Sequence, residues 1–345
     1  MDHVCVCVCV CVLVSDVGNW TYIYTQTNSG YVCAVSGSGH AAMEASIANV
    51  TQPGDKVLVG VSGMWGERVA ELSRRFGCEV VEMTAPLGSG FSLTELTSAI
   101  EREKPKAVFL CQGESSTGVL QPLQGVGEVC RKNDALLIID TVCSLGGVPF
   151  AADAMHVDVM YSGAQKCLSA PPGASPFFMS ERAMNALQSR TTPMKTYNMD
   201  MKLIGDYWGW FGSRSYHHTA PISNFYSLRE ALAVTNEEGL EALWSRHQEM
   251  HDMLWSGLKD LGLEPFVEKD EFRLQTVNTI KVPENIDWKK VVDFAMEERS
   301  LEIAGGLGPT AGKIWRIGIM GYNARPQNIA ATLEALKEGL KVAEK

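Results

Sequence analysis

Lys166 has the most specific chemical setting of any residue in this sequence. It follows Tyr161-Ser162-Gly163-Ala164-Gln165 and precedes Pro171-Pro172-Gly173, so it lies in a loop after an apolar run. A lysine in such a loop can be desolvated, lose its proton and form an imine with an aldehyde. Most lysines are surface charges, and Lys166 considered alone could be one. Its interpretation depends on the residues that accompany it.

Asp140 ends the apolar run Leu136-Leu137-Ile138-Ile139. Open α/β sheets bind their ligands at the carboxyl ends of such strands. A carboxylate there needs a partner, and a protonated pyridine nitrogen would be one, because the pair keeps the ring an electron sink. The alternative is an aspartate that caps the following turn.

A glycine-containing turn, Ser36-Gly37-Ser38-Gly39-His40, follows a predicted strand and opens a predicted helix. The free N–H groups and the dipole of a helix start suit a phosphate, although a tight turn without a ligand is an alternative. The spacing also matches G-x-G-x-x-A of dinucleotide-binding proteins, but the acidic residue needed at the end of the next strand is missing, since Asp55 precedes that strand. The turn, Asp140 and Lys166 together have the order and spacing that a pyridoxal phosphate (PLP) site requires.

Three other polar positions need an interpretation. Arg316 lies in the apolar segment Ile314-Trp315-Arg316-Ile317-Gly318, so it needs a carboxylate, either that of a substrate or that of an internal acid. His247 and His251 have a metal-competent spacing, but their neighbours predict a solvent-exposed helix face. His217 and His218 are adjacent on a predicted extended segment, where their side chains would point to opposite faces and chelate poorly. We therefore predict no metal site.

These residues require alternating strands and helices to position them. Such an alternation predicts an α/β fold with a mainly parallel sheet sandwiched by helices. The predicted strands cover residues 31–35, 56–61, 79–83, 107–111, 135–140, 157–162 and 176–179. The predicted helices cover residues 41–49, 66–76, 93–101, 123–133 and 181–189.

The remaining chain predicts a second, smaller unit. A long helical pattern covers residues 223–261 with a break near 236–239. It is followed by strands at 276–282 and 313–320 and by helices at 288–299 and 327–343. We expect a large ligand-binding domain at residues 22–222, and a connecting helix with a small α+β domain at 223–345.

The first 21 residues are of another kind. Valine and cysteine alternate there, which is low-complexity sequence, and we expect this head to be unstructured and without function. It lacks the basic region and cleavage site of a signal peptide, and no apolar run reaches the ~20 residues of a membrane span. Six of the ten cysteines lie outside the head without a C-x-x-C pair, which favours a reducing compartment.

The net charge of −10 argues against a nucleic-acid surface, because binding to phosphates needs clustered Lys and Arg. The sequence instead favours a small-molecule substrate.

From about residue 22 onwards the sequence resembles the alanine–glyoxylate and serine–pyruvate aminotransferases, which are class V PLP-dependent enzymes of PLP fold type I. The resemblance rests on Ser36–His40, Met64-Trp65-Gly66, Gly113-Glu114-Ser115-Ser116-Thr117-Gly118, Tyr161–Lys166, Tyr216-His217-His218-Thr219 and Gly305-Gly306-Leu307-Gly308-Pro309. It implies transamination between small amino acids and 2-oxo acids.

The resemblance also implies roles for individual residues. Lys166 would hold the cofactor covalently and then move the substrate α-proton, and Arg316 would bind the substrate carboxylate. Asp140 would bond the pyridine nitrogen, Trp65 would stack on the ring or be a buried anchor, and Ser115 would donate to the phenolic oxygen or form a turn. The phosphate would be held by Ser38, Gly39, His40 and Gln165, joined by Tyr216 and Thr219 of a second subunit. The enzyme is thus expected to be a homodimer with shared active sites.

Two alternatives remain open. A cysteine desulfurase-like lyase would need a mobile reactive cysteine, and neither Cys143 nor Cys167 obviously qualifies. A catalytically impaired relative is the other alternative, because family members have several dozen more N-terminal residues where this chain has its head. They are peroxisomal or mitochondrial, whereas this chain shows no clear targeting signal and ends in Ala343-Glu344-Lys345 rather than an S-K-L type sequence.

Overall fold

The structure is a computed structural model that describes residues 25–27, 30–212 and 214–344. The expectation for the Val-Cys head lies outside these described residues.

A seven-stranded sheet forms the centre of the large unit. Its strands are β1 (Tyr31–Ser36), β2 (Lys56–Val61), β3 (Glu79–Thr84), β4 (Ala107–Cys111), β7 (Leu136–Asp140), β8 (Val159–Tyr161) and β9 (Ala174–Met179). Their order is β1-β9-β8-β7-β4-β2-β3. Strand β9 runs in the direction opposite to that of the other six strands. The other six strands therefore all place their carboxyl ends at one edge.

The apolar composition of these strands explains the sheet. Every residue of β4, β7, β8 and β9 is buried, as expected for parallel strands covered on both faces. The helices of this unit are Gly39–Val50, Met64–Arg75, Leu93–Glu103, Val126–Lys132, Glu181–Gln188 and Met201–Trp208. A short hairpin of β5 (Gly113–Glu114) and β6 (Val119–Leu120) follows β4. The predicted α/β fold is confirmed.

Two long helices, Ile222–Glu238 and Leu240–Asp260, lead to the C-terminal unit. Its antiparallel sheet has the order β10 (Val277–Lys281), β12 (Ile314–Gly318), β11 (Ala304–Gly305), and helices Trp288–Arg299 and Pro326–Val342 pack together beside it. Short 3₁₀ turns occur at Asp270–Phe272, Gly308–Thr310 and Gly321–Asn323. This unit has its own apolar cluster, which includes Trp315, Leu336 and Ile280. The domain boundary after residue 222 stays a prediction.

Most predicted elements begin and end within two or three residues of the observed ones. The long helical pattern breaks at Gly239, which has a φ of 85° that favours glycine. Helix Met201–Trp208 is not among the predicted helices. Asp200 starts this helix by accepting a hydrogen bond from the Lys202 N–H, and Gly209 ends it in the left-handed conformation.

Candidate active site

The carboxyl edge of the sheet collects the residues that the sequence singled out. The glycine turn follows β1, Trp65 follows β2, Ser115 follows β4, Asp140 ends β7, and Lys166 follows β8. Open α/β sheets bind their ligands at this edge. The topology thus brings together residues that are up to 130 positions apart in the chain.

Asp140 is buried at this edge with one hydrogen-bond donor on each carboxyl oxygen. Oδ1 accepts from the Val142 N–H at 2.7 Å, and Oδ2 accepts from the Tyr161 hydroxyl at 2.6 Å. Burial raises the pKa of the Asp140 carboxyl to about 7, against the opposing effect of these two bonds. Asp140 is therefore not simply a turn cap, since its second oxygen is directed at a buried phenol. Its negative charge has no cationic partner among the described residues.

The turn after β1 lies directly against the segment after β7. A Cβ atom at Gly39 would come within 2.9 Å of Val142 Cγ2, so only glycine lets the turn approach this closely. Ser38 is the N-cap of helix Gly39–Val50, but its side chain forms no capping hydrogen bond, and the first helical turn has no acidic residue. The start of this helix can therefore receive an anion.

The loop after β8 joins the same cluster. A Cβ atom at Gly163 would be 3.3 Å from Val142 Cγ1 and 2.8 Å from Gln165 Oε1, so the Gln165 amide lies beside this contact. The loop closes with a hydrogen bond from the Ala170 N–H to the Ala164 carbonyl. Gln165 is exposed and Lys166 is half-buried.

Lys166 and Arg316 line one cavity of about 1040 Å³. The Lys166 ammonium has no hydrogen bond or ion pair within the described parts of the chain. The Arg316 guanidinium donates only to carbonyl groups, from Nε to Gly305 at 2.8 Å and from Nη1 to Ser115 at 3.1 Å. The alternative of an internal ion pair at Arg316 is thus not realised among the described residues. Burial lowers the pKa of Arg316.

Trp65 is fixed through its indole nitrogen. Its Nε1–H donates to Ser115 Oγ at 2.7 Å, which leaves the Ser115 hydroxyl hydrogen free to donate to another group. The ring packs edge-on against His40 with 5.6 Å between centroids. His40 Nε2 lies 3.0 Å from Arg68 Nη1. Burial, followed by the charge of Arg68, lowers the pKa of His40, so its neutral ring can accept from Arg68.

Glu114 and Tyr161 were within quoted motifs but were given no role from the sequence. Glu114 is fully buried and accepts from the N–H groups of Trp65 at 3.0 Å and Ser116 at 2.9 Å, and from the Ser116 hydroxyl. Burial raises the pKa of the Glu114 carboxyl against the effect of these bonds. The sequence offered one signal for Glu114, which is an acidic residue inside a loop of small polar residues.

Tyr216 and Thr219 do not line the cavity of their own chain. Both are exposed, and their hydroxyl oxygens lie 3.0 Å apart. The neighbouring His217 and His218 contradict the expectation of opposite faces, because their Nδ1 atoms approach to 2.7 Å. His218 Nε2 also contacts Ser36 Oγ, and His217 Nε2 contacts the Tyr197 carbonyl. These contacts turn the two rings towards each other and hold the segment against the end of β1.

The prediction that His247 and His251 lie on a solvent-exposed helix face was wrong. Both residues are buried, and His247 Nε2 accepts from the Gly321 N–H at 2.9 Å while its Nδ1 contacts the Leu243 carbonyl. This histidine connects helix Leu240–Asp260 to the C-terminal unit.

The described residues contain no group of three potential metal ligands, and none of their helices is long and apolar enough to cross a membrane.

Cys143 and Cys167 lie near the site but are fully buried. Burial raises the pKa of the Cys167 thiol to about 12 and that of the Cys143 thiol well above its ordinary value. The charge of Lys166 opposes both shifts, so its ammonium lies within electrostatic reach of the two thiols. The raised pKa values disfavour, at these two positions, the nucleophilic thiolate that a desulfurase requires.

The site fits pyridoxal phosphate by the chemistry of its groups. A buried carboxylate without a cation suits the pyridinium nitrogen, a helix start without acidic residues suits the phosphate, and an unpaired lysine suits the aldehyde. The fold and these groups are those of a PLP fold type I enzyme.

Comparison with known proteins gives the family. The family model "Aminotransferase class-V" matches residues 23–325. The chain is 47% identical over 322 residues to an alanine–glyoxylate aminotransferase of Drosophila melanogaster, which covers 93% of this chain and 82% of that protein. It is 34% identical to the (S)-ureidoglycine–glyoxylate transaminase of Bacillus subtilis, over 90% of this chain and 79% of that protein.

A crystal structure of an alanine–glyoxylate aminotransferase from Nostoc sp. superimposes with a TM-score of 0.93 at 45% identity, covering 96% of this chain and 87% of that one. The protein belongs to the class V aminotransferases. It is a PLP-dependent enzyme that transfers amino groups between amino acids and oxo acids.

Proposed function

We propose that this aminotransferase moves an amino group between small amino acids, such as alanine or serine, and the small 2-oxo acids glyoxylate and pyruvate. The proposal is supported by the activities for which its relatives are named, which include alanine–glyoxylate aminotransferases and a ureidoglycine–glyoxylate transaminase. The observation that carries it is the cavity shared by Lys166 and Arg316. Among the described residues, Lys166 has no partner and the Arg316 guanidinium donates only to carbonyl groups.

Bound pyridoxal phosphate supplies an aldehyde that condenses with amines and a ring that accepts electrons. Lys166 would hold the cofactor aldehyde through Nζ and would move the substrate α-proton with the same nitrogen. Asp140 would pair with the pyridine nitrogen, Trp65 would cover one face of the ring, and Ser115 would donate its hydroxyl to the phenolic oxygen. The phosphate would be held by Ser38, Gly39, His40 and Gln165.

Arg316 would bind the α-carboxylate of the substrate. Its Nη2 group forms no hydrogen bond within the described chain and its Nη1 has a second hydrogen, so the guanidinium can still donate two parallel bonds. The two carbonyl contacts fix its plane beforehand. Binding at Arg316 would orient the substrate Cα towards the lysine across the cavity.

The proposed active enzyme is a homodimer in which Tyr216 and Thr219 reach the phosphate of the partner subunit. The exposure of both residues, with Tyr216 75% exposed, is consistent with a contact outside their own chain. His217 and His218 would support this by holding the segment against Ser36.

We further propose a peroxisomal or mitochondrial location, which microscopy of the tagged full chain in its own cells would test.

The purified chain incubated with PLP tests the assignment directly. We expect a visible absorption band that borohydride removes, and its absence in Lys166→Ala, whereas Lys132→Ala at an exposed helix end keeps it. Wild-type protein without a reducible band would refute the site.

Activity is then measured with alanine plus glyoxylate and with serine plus pyruvate, with aspartate, phenylalanine and cysteine as alternative amino-group donors. Preference for aspartate or phenylalanine would overturn the proposed substrates. Release of sulfide from cysteine would identify a lyase, and a bound cofactor without turnover would identify an impaired relative.

A further inference from the structure

We propose that Tyr161 is a positioning residue for the reaction, which orients the Asp140 carboxylate and keeps it ionised for its proposed pairing with the ring nitrogen of the cofactor. The proposal rests on the function proposed above for Asp140. It assigns a task to a residue that has no contact with the cavity of Lys166 and Arg316. Tyr161 would act on the cofactor only through Asp140.

The geometry joins the two residues directly. Asp140 and Tyr161 are register partners at the carboxyl ends of the parallel strands β7 and β8. The Tyr161 hydroxyl donates to Asp140 Oδ2 at 2.6 Å, which is a short distance typical of a bond from a hydroxyl to a carboxylate. The Val142 N–H occupies Oδ1. Each carboxyl oxygen therefore has one donor, and Tyr161 provides the only side-chain donor among the described residues.

Tyr161 itself is well suited to this task. Its side chain is fully buried, so the ring cannot swing away to find water. Burial, followed by the charge of Asp140, raises the pKa of its phenol well above the ordinary value. The phenol therefore keeps its proton near neutral pH, and its hydroxyl remains a donor. Within the part of the chain that the structure describes, its side chain hydrogen-bonds to Asp140 alone.

Loss of this hydroxyl would leave a buried carboxylate with a single backbone donor. Since a hydrogen bond to the charged form favours that form, its removal raises the pKa of Asp140. We expect a rise of about one to two pH units, the size of one hydrogen bond to a charged group. A carboxyl that is neutral near pH 7–8 would no longer pair with a protonated ring nitrogen.

The test uses Tyr161→Phe, which removes one oxygen atom and keeps the ring. Tyr226→Phe is the matched control, because Tyr226 is about half exposed on helix Ile222–Glu238 and is not part of the proposed site. The dissociation constant of PLP is measured by absorbance between pH 6 and 9.5 for both variants and for wild type. We expect Tyr161→Phe to bind PLP about tenfold more weakly near pH 7, with the deficit narrowing above pH 9. A deficit that is equal at every pH would show a merely structural role and overturn the proposal.

A second measurement needs no cofactor. The stability of PLP-free protein is followed against pH for wild type, Tyr161→Phe, Asp140→Asn and the double variant. Subtraction of the Asp140→Asn curves isolates the titration of Asp140, and its midpoint should be about one to two pH units higher without the Tyr161 hydroxyl. An unchanged midpoint would refute the coupling. Normal PLP binding by Asp140→Asn would instead overturn the proposed role of Asp140, so the two failures are distinguishable.

Discussion

Asp140 is a buried carboxyl group with two hydrogen-bond donors and no cation beside it in the described chain. The opposite charges at Lys166 and Arg316 likewise have no carboxylate partner there. A protein gains nothing in stability from charges kept in this way, because burial penalises them and an internal ion pair would offset the penalty. These unpaired charges are the features of the site that match a zwitterionic substrate and a charged cofactor.

The pH dependence of stability follows from Asp140. Its pKa is raised from 3.8 to about 7 by burial, so the folded PLP-free protein binds this proton more tightly than the unfolded chain does. The stabilisation is fully present below pH 4 and is lost as the pH rises through 7, by about 4 kcal/mol in total. Asp140→Asn, which cannot ionise, should lack this loss. Urea denaturation of both PLP-free proteins at pH 5 and pH 8 checks this. The prediction is contradicted if the free energy of unfolding of the wild type, relative to that of the variant, is higher at pH 8 than at pH 5.

Arg316→Lys tests the substrate contact at the same scale. Lysine keeps the positive charge but cannot form two parallel bonds with a carboxylate or hold the Gly305 and Ser115 carbonyls together. We expect the KM for the amino acid to rise by about tenfold to a hundredfold, equivalent to about 1.4–3 kcal/mol. The PLP absorption band should be unchanged. Steady-state kinetics measure this, with Arg75→Lys as the control, because Arg75 forms an exposed ion pair with Glu71 at the end of helix Met64–Arg75.

At the scale of elements, Glu114 connects the hairpin after β4 to the start of helix Met64–Arg75. It accepts from the Trp65 N–H, while its neighbour Ser115 accepts from the Trp65 indole and from Arg316. A Cβ atom at Gly63 would lie 2.5 Å from the Glu114 side chain, so the helix start and the carboxylate are packed in direct contact. The charge of Glu114 also opposes the lowering of the Arg316 pKa. Glu114 thus links the start of helix Met64–Arg75, the hairpin after β4 and Arg316.

Glu114→Gln should therefore destabilise the protein by about 2–4 kcal/mol, because an amide would point its hydrogens at N–H groups that need an acceptor. Glu67→Gln is the control, since Glu67 is exposed in the first turn of the same helix and should change stability by less than about 1 kcal/mol. Chemical denaturation of the PLP-free variants compares them. Equal effects of the two substitutions would show that the buried bonds contribute little.

The elements were predictable from sequence wherever apolar periodicity was uninterrupted. Strands β2 and β4 and helix Trp288–Arg299 begin and end as predicted. Helix Met201–Trp208 was missed, because its neighbouring proline and aromatic residues obscure a pattern of only eight residues. The burial of His247 was also missed, since its partner Gly321 is 74 residues away and local polarity says nothing about such a contact. Lys166, Asp140 and Arg316 could be singled out as candidates because each lies inside an apolar segment, at its end or in the loop that follows it.

At the scale of the whole molecule, the candidate active site is formed by residues from distant parts of the chain. Arg316 comes from the C-terminal sheet, yet it bonds to Ser115, which is 201 residues earlier in the large unit. The segment with Tyr216 and Thr219 instead leaves the cavity and presents both side chains at the surface. The geometry of one chain does not bring these two residues to a site, and only the family resemblance suggested their proposed role at the phosphate of another subunit.

Mixing of subunits tests this shared site. Lys166→Ala lacks the lysine of its own cavity, and Tyr216→Ala lacks the tyrosine that it would lend to its partner. In a heterodimer of the two, one site would carry both defects and the other would carry none. Random reassociation of equal amounts should thus restore about one quarter of wild-type activity, although each variant alone is inactive or nearly so. Activity is measured after joint refolding, with Lys132→Ala replacing Lys166→Ala in a control mixture. If Tyr216 served its own subunit, no mixed dimer would contain an intact site and the restored activity would be absent.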